Sequence, residues 1–229
     1  KLFSGCDYLF VPCVAGLILY LPKDIPVIFY TDTTHRLMVG YYWKKKLTHR
    51  TIEHGERCER EGIHRASINL RSSRWAAESV VRDYGYDPKR SYVIEFGANI
   101  DDHDLISNTV VYKEGNPVNI LFSGVEWRRK GGDVAVEAVR LLNEQGVKAR
   151  LIIAGIRELP QRYVGLSYID YVGFLNKNNP EQYHRYVQLW REATLFLLPT
   201  QAECSAIVYC EASAYGVPIF TYDTGGTGD

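Results

Sequence analysis

Short apolar runs alternate with amphipathic stretches along the whole chain. Tyr8 to Val11, Pro26 to Tyr30, Ser67 to Leu70 and Tyr92 to Phe96 read as strands, each bounded by turn or polar residues. Between the second and third, a polar stretch from about Leu37 to Glu61 predicts one long helix. Ser72 and Ser73 are candidate caps for a helix through Trp75, Ala76, Val80 and Val81, which stops near Gly85, a residue that accepts a left-handed backbone. The apolar run from Tyr8 to Leu21 falls short of the ~20 residues that a membrane helix needs and is broken by Pro12, so it reads as a strand, a turn and a buried helix.

The second half repeats the alternation. Val118 to Phe122, Ala149 to Ala154, Tyr168 to Val172, Thr194 to Leu198 and Ile219 to Tyr222 are predicted strands, with helices over Gly132 to Asn143, Pro180 to Glu192 and Ser205 to Tyr215. The helix from Pro180 has the strongest pattern: Asn179 caps it, Pro180 opens it, and Tyr183, Tyr186, Val187 and Trp190 share one face. Strands and helices in alternation predict an α/β protein built on parallel sheets. Asp101 to Pro117 is polar, with Ser107, Asn108, Gly115 and Asn116 and few apolar residues beyond Val110 and Val111, which predicts a linker. The expected organisation is a first domain over residues 1–100, a hinge over 101–117 and a second domain over 118–229. The start at Lys1 and the end just after a strand lead us to expect a fragment, with both domains incomplete.

Composition narrows the function classes. The chain has 229 residues, 46% hydrophobic and 24% charged, with 27 Lys and Arg against 27 Asp and Glu. That is a globular protein without the basic footprint that nucleic-acid phosphates demand. Five cysteines, at positions 6, 13, 58, 204 and 210, form no CxxC pair and no zinc-ligand spacing, so neither a disulfide framework nor a structural metal is expected.

Two stretches carry candidate chemistry. In the first, LPTQAECSAIVYCEASAYGVPIFTYDTGGTGD, a strand ends and a turn bears Glu203. A helix then starts among the small residues Cys204, Ser205 and Ala206, and Glu211 follows two turns on. Backbone N–H groups at a helix start favour anionic or hydroxyl-rich groups, and small side chains let a ligand approach them. Glu211 suits paired hydroxyls such as those of a ribose, Glu203 the hydroxyls of a second ring, and Gly225 and Gly226 admit close approach of backbone to phosphate. In the second stretch, LFSGVEWRRKGGD, a strand ends in a turn with Arg128, Arg129 and Lys130. Positive charge there could clamp a diphosphate and stabilise it as a leaving group in place of a divalent metal.

Taken together, Glu203-x7-Glu211 after LLPT, the following EASAYGVPIFTYDTGG, FSG…RKGGD and VIEFGANID resemble the retaining glycosyltransferases of family 4. The likeness is closest over Arg71 to Asp229. It implies the GT-B architecture, two Rossmann-like domains facing a cleft, and transfer of a sugar, as in a hexosyltransferase, from a nucleotide-diphosphate sugar with retention at the anomeric carbon. A front-face mechanism, with no protein nucleophile and no metal, goes with it. By position, Arg129, Lys130 and Glu203 would carry the chemistry. Gly97, Cys204, Ser205, Ala206, Ile207, Glu211, Gly225 and Gly226 would line the donor. The implied partners are a nucleotide sugar and an acceptor that is a glycan, a lipid-linked molecule or a protein, in the cytoplasm, with peripheral membrane contact left open.

The chain also departs from that pattern. Val125 stands where the family often has arginine, which leaves Arg128 or Arg129 to supply the charge. Cys204-Ser205-Ala206 replaces the usual glycine and aromatic, and Asp229 replaces a glutamate. After the strand that ends near Thr31, where many members have histidine, the chain reads Asp32-Thr33-Thr34-His35, and His35 is the candidate for contacting sugar or acceptor. These departures keep a second reading open, a non-catalytic sugar-nucleotide binding module or inactive homologue. A dinucleotide oxidoreductase is disfavoured, because no GxGxxG follows a strand.

Overall fold

The structure is a computed structural model, and it describes residues 3–43, 47–105 and 116–229. The chain divides into two compact units, the first comprising Lys1–Phe96 with Ala202–Ser205 and Gly225–Asp229, the second Gly97–Gln201 with Ala206–Thr224.

In the first unit, strands β1 (Leu9–Pro12), β2 (Val27–Thr31), β3 (Ile68–Arg71) and β4 (Ser91–Val93) form a parallel sheet in sequential order. Helices α1 (Ala15–Ile18), α2 (His35–Met38), α3 (His49–Arg65) and α4 (Arg74–Arg82) alternate with them. Val11, Ile18, Val27, Phe29, Ile63, Val80 and Tyr84 make the core. As expected, Ser73 caps α4, its hydroxyl accepting from the Ala76 N–H at 3.3 Å. The single helix expected from Leu37 to Glu61 is instead two, because the chain turns after α2 and Thr48 starts a new helix by accepting from the Thr51 N–H. Residues 44–46 of that expected helix lie outside the described residues. The strand expected over Tyr92 to Phe96 stops at Val93.

The second unit holds β5 (Val118–Ser123), α5 (Gly132–Glu144), β6 (Ala149–Ala154), β7 (Ile169–Gly173), α6 (Pro180–Glu192), β8 (Leu195–Leu198), α7 (Ile207–Ala214) and β9 (Ile219–Thr221). Its parallel sheet has the order β7-β6-β5-β8-β9. Leu121, Phe122, Val139, Ile152, Val187, Trp190, Phe196 and Leu198 fill the core. Polarity suggested that the linker begins at Asp101, whereas packing changes earlier, between Phe96 and Gly97. The reason is that Ile100 is buried in the second core and the Asp101 N–H donates to the Tyr183 hydroxyl on α6 at 2.9 Å. The linker residues Ser107, Asn108, Val110, Val111 and Gly115 lie outside the described residues. Among the described residues, no helix is long and apolar enough to cross a membrane.

Candidate functional site

In an open parallel sheet, the crevice for ligands lies beyond the carboxyl ends of the strands where the strand order reverses. Here that point is the β5–β8 pair, and the two stretches singled out in the sequence follow these two strands. After β5 comes the turn with Arg128, Arg129 and Lys130; after β8 comes Pro199 to Ala206.

Backbone contacts join the two loops. The Arg129 carbonyl accepts from the Gln201 N–H at 2.8 Å and from the Thr200 hydroxyl at 3.2 Å. Gly131 has φ +78°, and a Cβ there would stand 2.1 Å from the Pro199 carbonyl oxygen, so only glycine fits. Beneath the turn, the Trp127 indole N–H, the Arg162 guanidinium and the Tyr163 hydroxyl all donate to Asp133 Oδ1, at 2.6, 2.7 and 3.0 Å. Those donors hold the Asp133 carboxyl below its ordinary value against a burial that pushes the other way.

Lys130 is 8% exposed, so it is no solvated surface lysine. Arg129 grips Glu126 with two hydrogen bonds of 3.1 Å, which draws its charge toward its own turn. Val125, in the position where arginine was looked for, is exposed.

Glu203 is buried at 7% exposure, and its backbone N–H donates to the Tyr41 hydroxyl at 2.9 Å. Gly225 and Gly226 lie against this segment. A Cβ on Gly225 would stand 2.1 Å from the Glu203 carbonyl oxygen, and one on Gly226 would stand 2.0 Å from that of Cys204. The two glycines are therefore demanded by the chain's own backbone. The Gly226 N–H donates to the Glu203 carbonyl at 3.2 Å. Asp32, after β2, has its carboxyl raised above the ordinary value, chiefly by burial, with the Glu203 charge adding to the rise. Sequence reasoning passed over Asp32 in favour of His35.

The helix expected from Ser205 starts at Ile207, with Ala206 as its N-cap, so Cys204 and Ser205 precede it. The first N–H groups of the helix accordingly begin at Ile207, and that of Tyr209 donates to the Ala206 carbonyl at 2.9 Å. Cys204 is buried and its Sγ lies 3.7 Å from Met38 Sδ. Glu211, on α7, is 2% exposed and accepts from the Tyr186 hydroxyl and the Lys177 ammonium.

Two expected residues have other surroundings. The His35 ring packs edge-on to Trp43, with Nδ1 3.4 Å from Glu56 on α3, which gives it a structural task in the first unit. Gly97 has open space where a Cβ would stand, so no steric need explains it. Asp101, His103 and Asp104 bring potential metal-ligand atoms within 4.8 Å of one another. Two of them are exposed, and Asp104 pairs with His103 and Arg191.

The family model described as glycosyl transferases group 1 matches residues 109–229, just over half of the chain. The chain belongs to that family. The D-inositol 3-phosphate glycosyltransferase of Xylanimonas cellulosilytica is 30% identical over 68% of this chain and 40% of its own length. The enzyme of the same name from Corynebacterium aurimucosum is 23% identical over 93% of this chain and 54% of its own. The chain thus spans about half the length of these curated relatives.

Among solved structures, the apo form of the lipopolysaccharide outer core galactosyltransferase WaaB matches 98% of this chain and 59% of its own at TM-score 0.63 and 14% identity. WaaG, a glycosyltransferase involved in lipopolysaccharide biosynthesis, matches 90% of this chain and 61% of its own at TM-score 0.54 and 17% identity. Those likenesses are of fold. The two parallel sheets of this member of the group 1 family are those expected of the GT-B class.

Proposed function

We propose that the protein to which this chain belongs transfers a sugar from a nucleoside-diphosphate sugar to an acceptor hydroxyl, with retention at the anomeric carbon and without a metal. The observation that carries this reading is a set of buried charges. Lys130 follows β5, Glu203 follows β8 and Glu211 lies on α7, and all three are more than nine-tenths buried. Burial sets them apart from the solvated charges of a surface, and two of these follow the strand pair where the sheet order reverses.

In this reading Lys130 meets the diphosphate and offsets the charge that grows as the glycosidic bond breaks. Glu211 accepts from the ribose, Glu203 from the transferred sugar, and the leaving phosphate takes the proton of the acceptor hydroxyl. Arg129, paired with Glu126, supplies charge as a helper of Lys130. The backbone of Cys204, Ser205, Ala206 and Ile207 flanks the sugar and phosphate, and Gly225 and Gly226 support it. The relatives are named for D-inositol 3-phosphate, which makes a phosphorylated polyol the first acceptor class to assay.

The test is calorimetric titration with UDP, GDP and ADP, each with and without EDTA. One nucleotide should bind, EDTA should leave its affinity unchanged, and Lys130→Ala should weaken it about tenfold or more, as expected for a lost hydrogen-bonded charge. Failure of all three to bind, or equal binding by Lys130→Ala, overturns the reading. A binding module without turnover is the second reading, favoured by the exposed Val125 and the Glu126 grip on Arg129. Product formation from the matching donor sugar by the full-length protein rules it out.

A further inference from the structure

Glu211 is held from two sides by residues that the motif does not contain. The Tyr186 hydroxyl donates to Glu211 Oε2 at 2.5 Å, and the Lys177 ammonium donates to Oε1. Lys177, in the loop before α6, also donates to the Asn99 carbonyl at 3.2 Å, and its Nζ lies 4.4 Å from the centroid of the Tyr186 ring. The ammonium thus has three fixed neighbours, although a little over a quarter of the side chain is exposed. Tyr186 is 6% exposed, and burial together with the Glu211 charge raises its hydroxyl well above the ordinary tyrosine value, so it remains a donor.

A carboxylate offers about four lone-pair sites. Tyr186 and Lys177 take one on each oxygen, which leaves one on each for a vicinal diol. Glu211 is only 2% exposed, and the Lys177 ammonium beside it compensates the burial of its charge.

We infer that Lys177 and Tyr186 are positioning residues for ribose recognition: each holds one oxygen of Glu211, and together they fix the carboxylate in the orientation in which its free lone pairs accept the 2′ and 3′ hydroxyls of a nucleoside diphosphate. The inference deepens the proposed function and rests on it. Each residue holds a different oxygen, so the loss of either frees the carboxylate to turn away from the diol. If the three side chains only tie α6 to α7, their loss would lower stability and affect all nucleotides alike.

The experiment measures affinity for UDP, GDP and ADP and their 2′-deoxy counterparts by calorimetry. Wild type should prefer the ribonucleotide about tenfold or more, the cost of leaving a charged acceptor short of a donor. Lys177→Met should lose most of that preference. Lys177→Arg should restore it. Tyr186→Phe should reduce the preference.

Undiminished preference in Lys177→Met overturns the inference and leaves the proposed function standing. So does an equal loss of affinity for both sugars. Wild type that binds none of the nucleotides, or binds without preferring ribose, overturns the Glu211 assignment and the inference with it. Circular dichroism verifies folding, and Lys177→Gln substitutes for the methionine variant should that one not fold.

Discussion

Gly131 and Gly226 hold two loops together by having no side chain. At Gly131 a methyl group would meet the Pro199 carbonyl at 2.1 Å, on a backbone whose φ of +78° L-residues rarely adopt. Gly131→Ala should therefore cost more than about 1 kcal/mol, the level seen where alanine cannot accept the native backbone. Urea unfolding measures it, and an unchanged midpoint would show that the turn has other conformations open to it. The same variant should weaken nucleotide binding, because Lys130 precedes the strained position.

At this scale the sequence was readable where spacing carries meaning. Glu203, Glu211 and Lys130 could be singled out because a strand end, a turn and a helix start follow one another in order. Lys177 and Tyr186 could not, because Tyr186 meets Glu211 through the packing of α6 against α7, and Tyr186 reads equally well as one more residue on an apolar face. His35 was chosen for its chemistry, yet Trp43 and Glu56 claim its ring.

The elements themselves follow from local rules wherever a cap and a periodic face agree. The α6 helix begins and ends where its pattern indicates, with Asn179 Oδ1 accepting from the Gln182 N–H at 3.1 Å. Asn179→Ala should lower stability by about 1 kcal/mol, the usual cost of a lost N-cap. Chemical denaturation followed by tryptophan fluorescence is a fitting probe, because Trp190 is fully buried on the same helix. The long helix predicted from Leu37 failed because polar composition alone cannot reveal that Thr48 starts a fresh helix. The α7 helix begins later than expected because Ala206 caps without a side chain, and a small residue gives no signal of where a helix opens.

For the whole molecule, alternation of strands and helices was enough to predict two parallel sheets, whereas the order β7-β6-β5-β8-β9 is a matter of long-range pairing that periodicity does not encode. The first unit also carries a charged cluster inside its packing. Arg71 is fully buried with its guanidinium 4.6 Å from the Phe29 ring centroid, and burial lowers it to about 10.

Nearby Glu59 is pushed up to about 7, mainly by burial, with Arg71 pulling the other way. Unfolded, the same carboxyl titrates near 4.5, so its contribution to stability is complete below that pH and is lost as the pH rises through about 7. Glu59→Gln removes this loss. Its melting temperature relative to wild type should rise as the pH is raised from about 5 to about 8, and a flat or falling difference refutes the assignment.

The carboxyl ends of β5 and β8 lead into the candidate residues, while the amino end of β6 leads out of an exposed turn, Gln145 to Lys148, on the opposite rim of the same sheet. A fluorophore or surface tether anchored in that turn would therefore stand a strand's length away from Lys130, on the far side of the packed interior. Nucleotide occupancy could then be followed on immobilised protein, with the label at the strand ends opposite those that lead into the candidate residues.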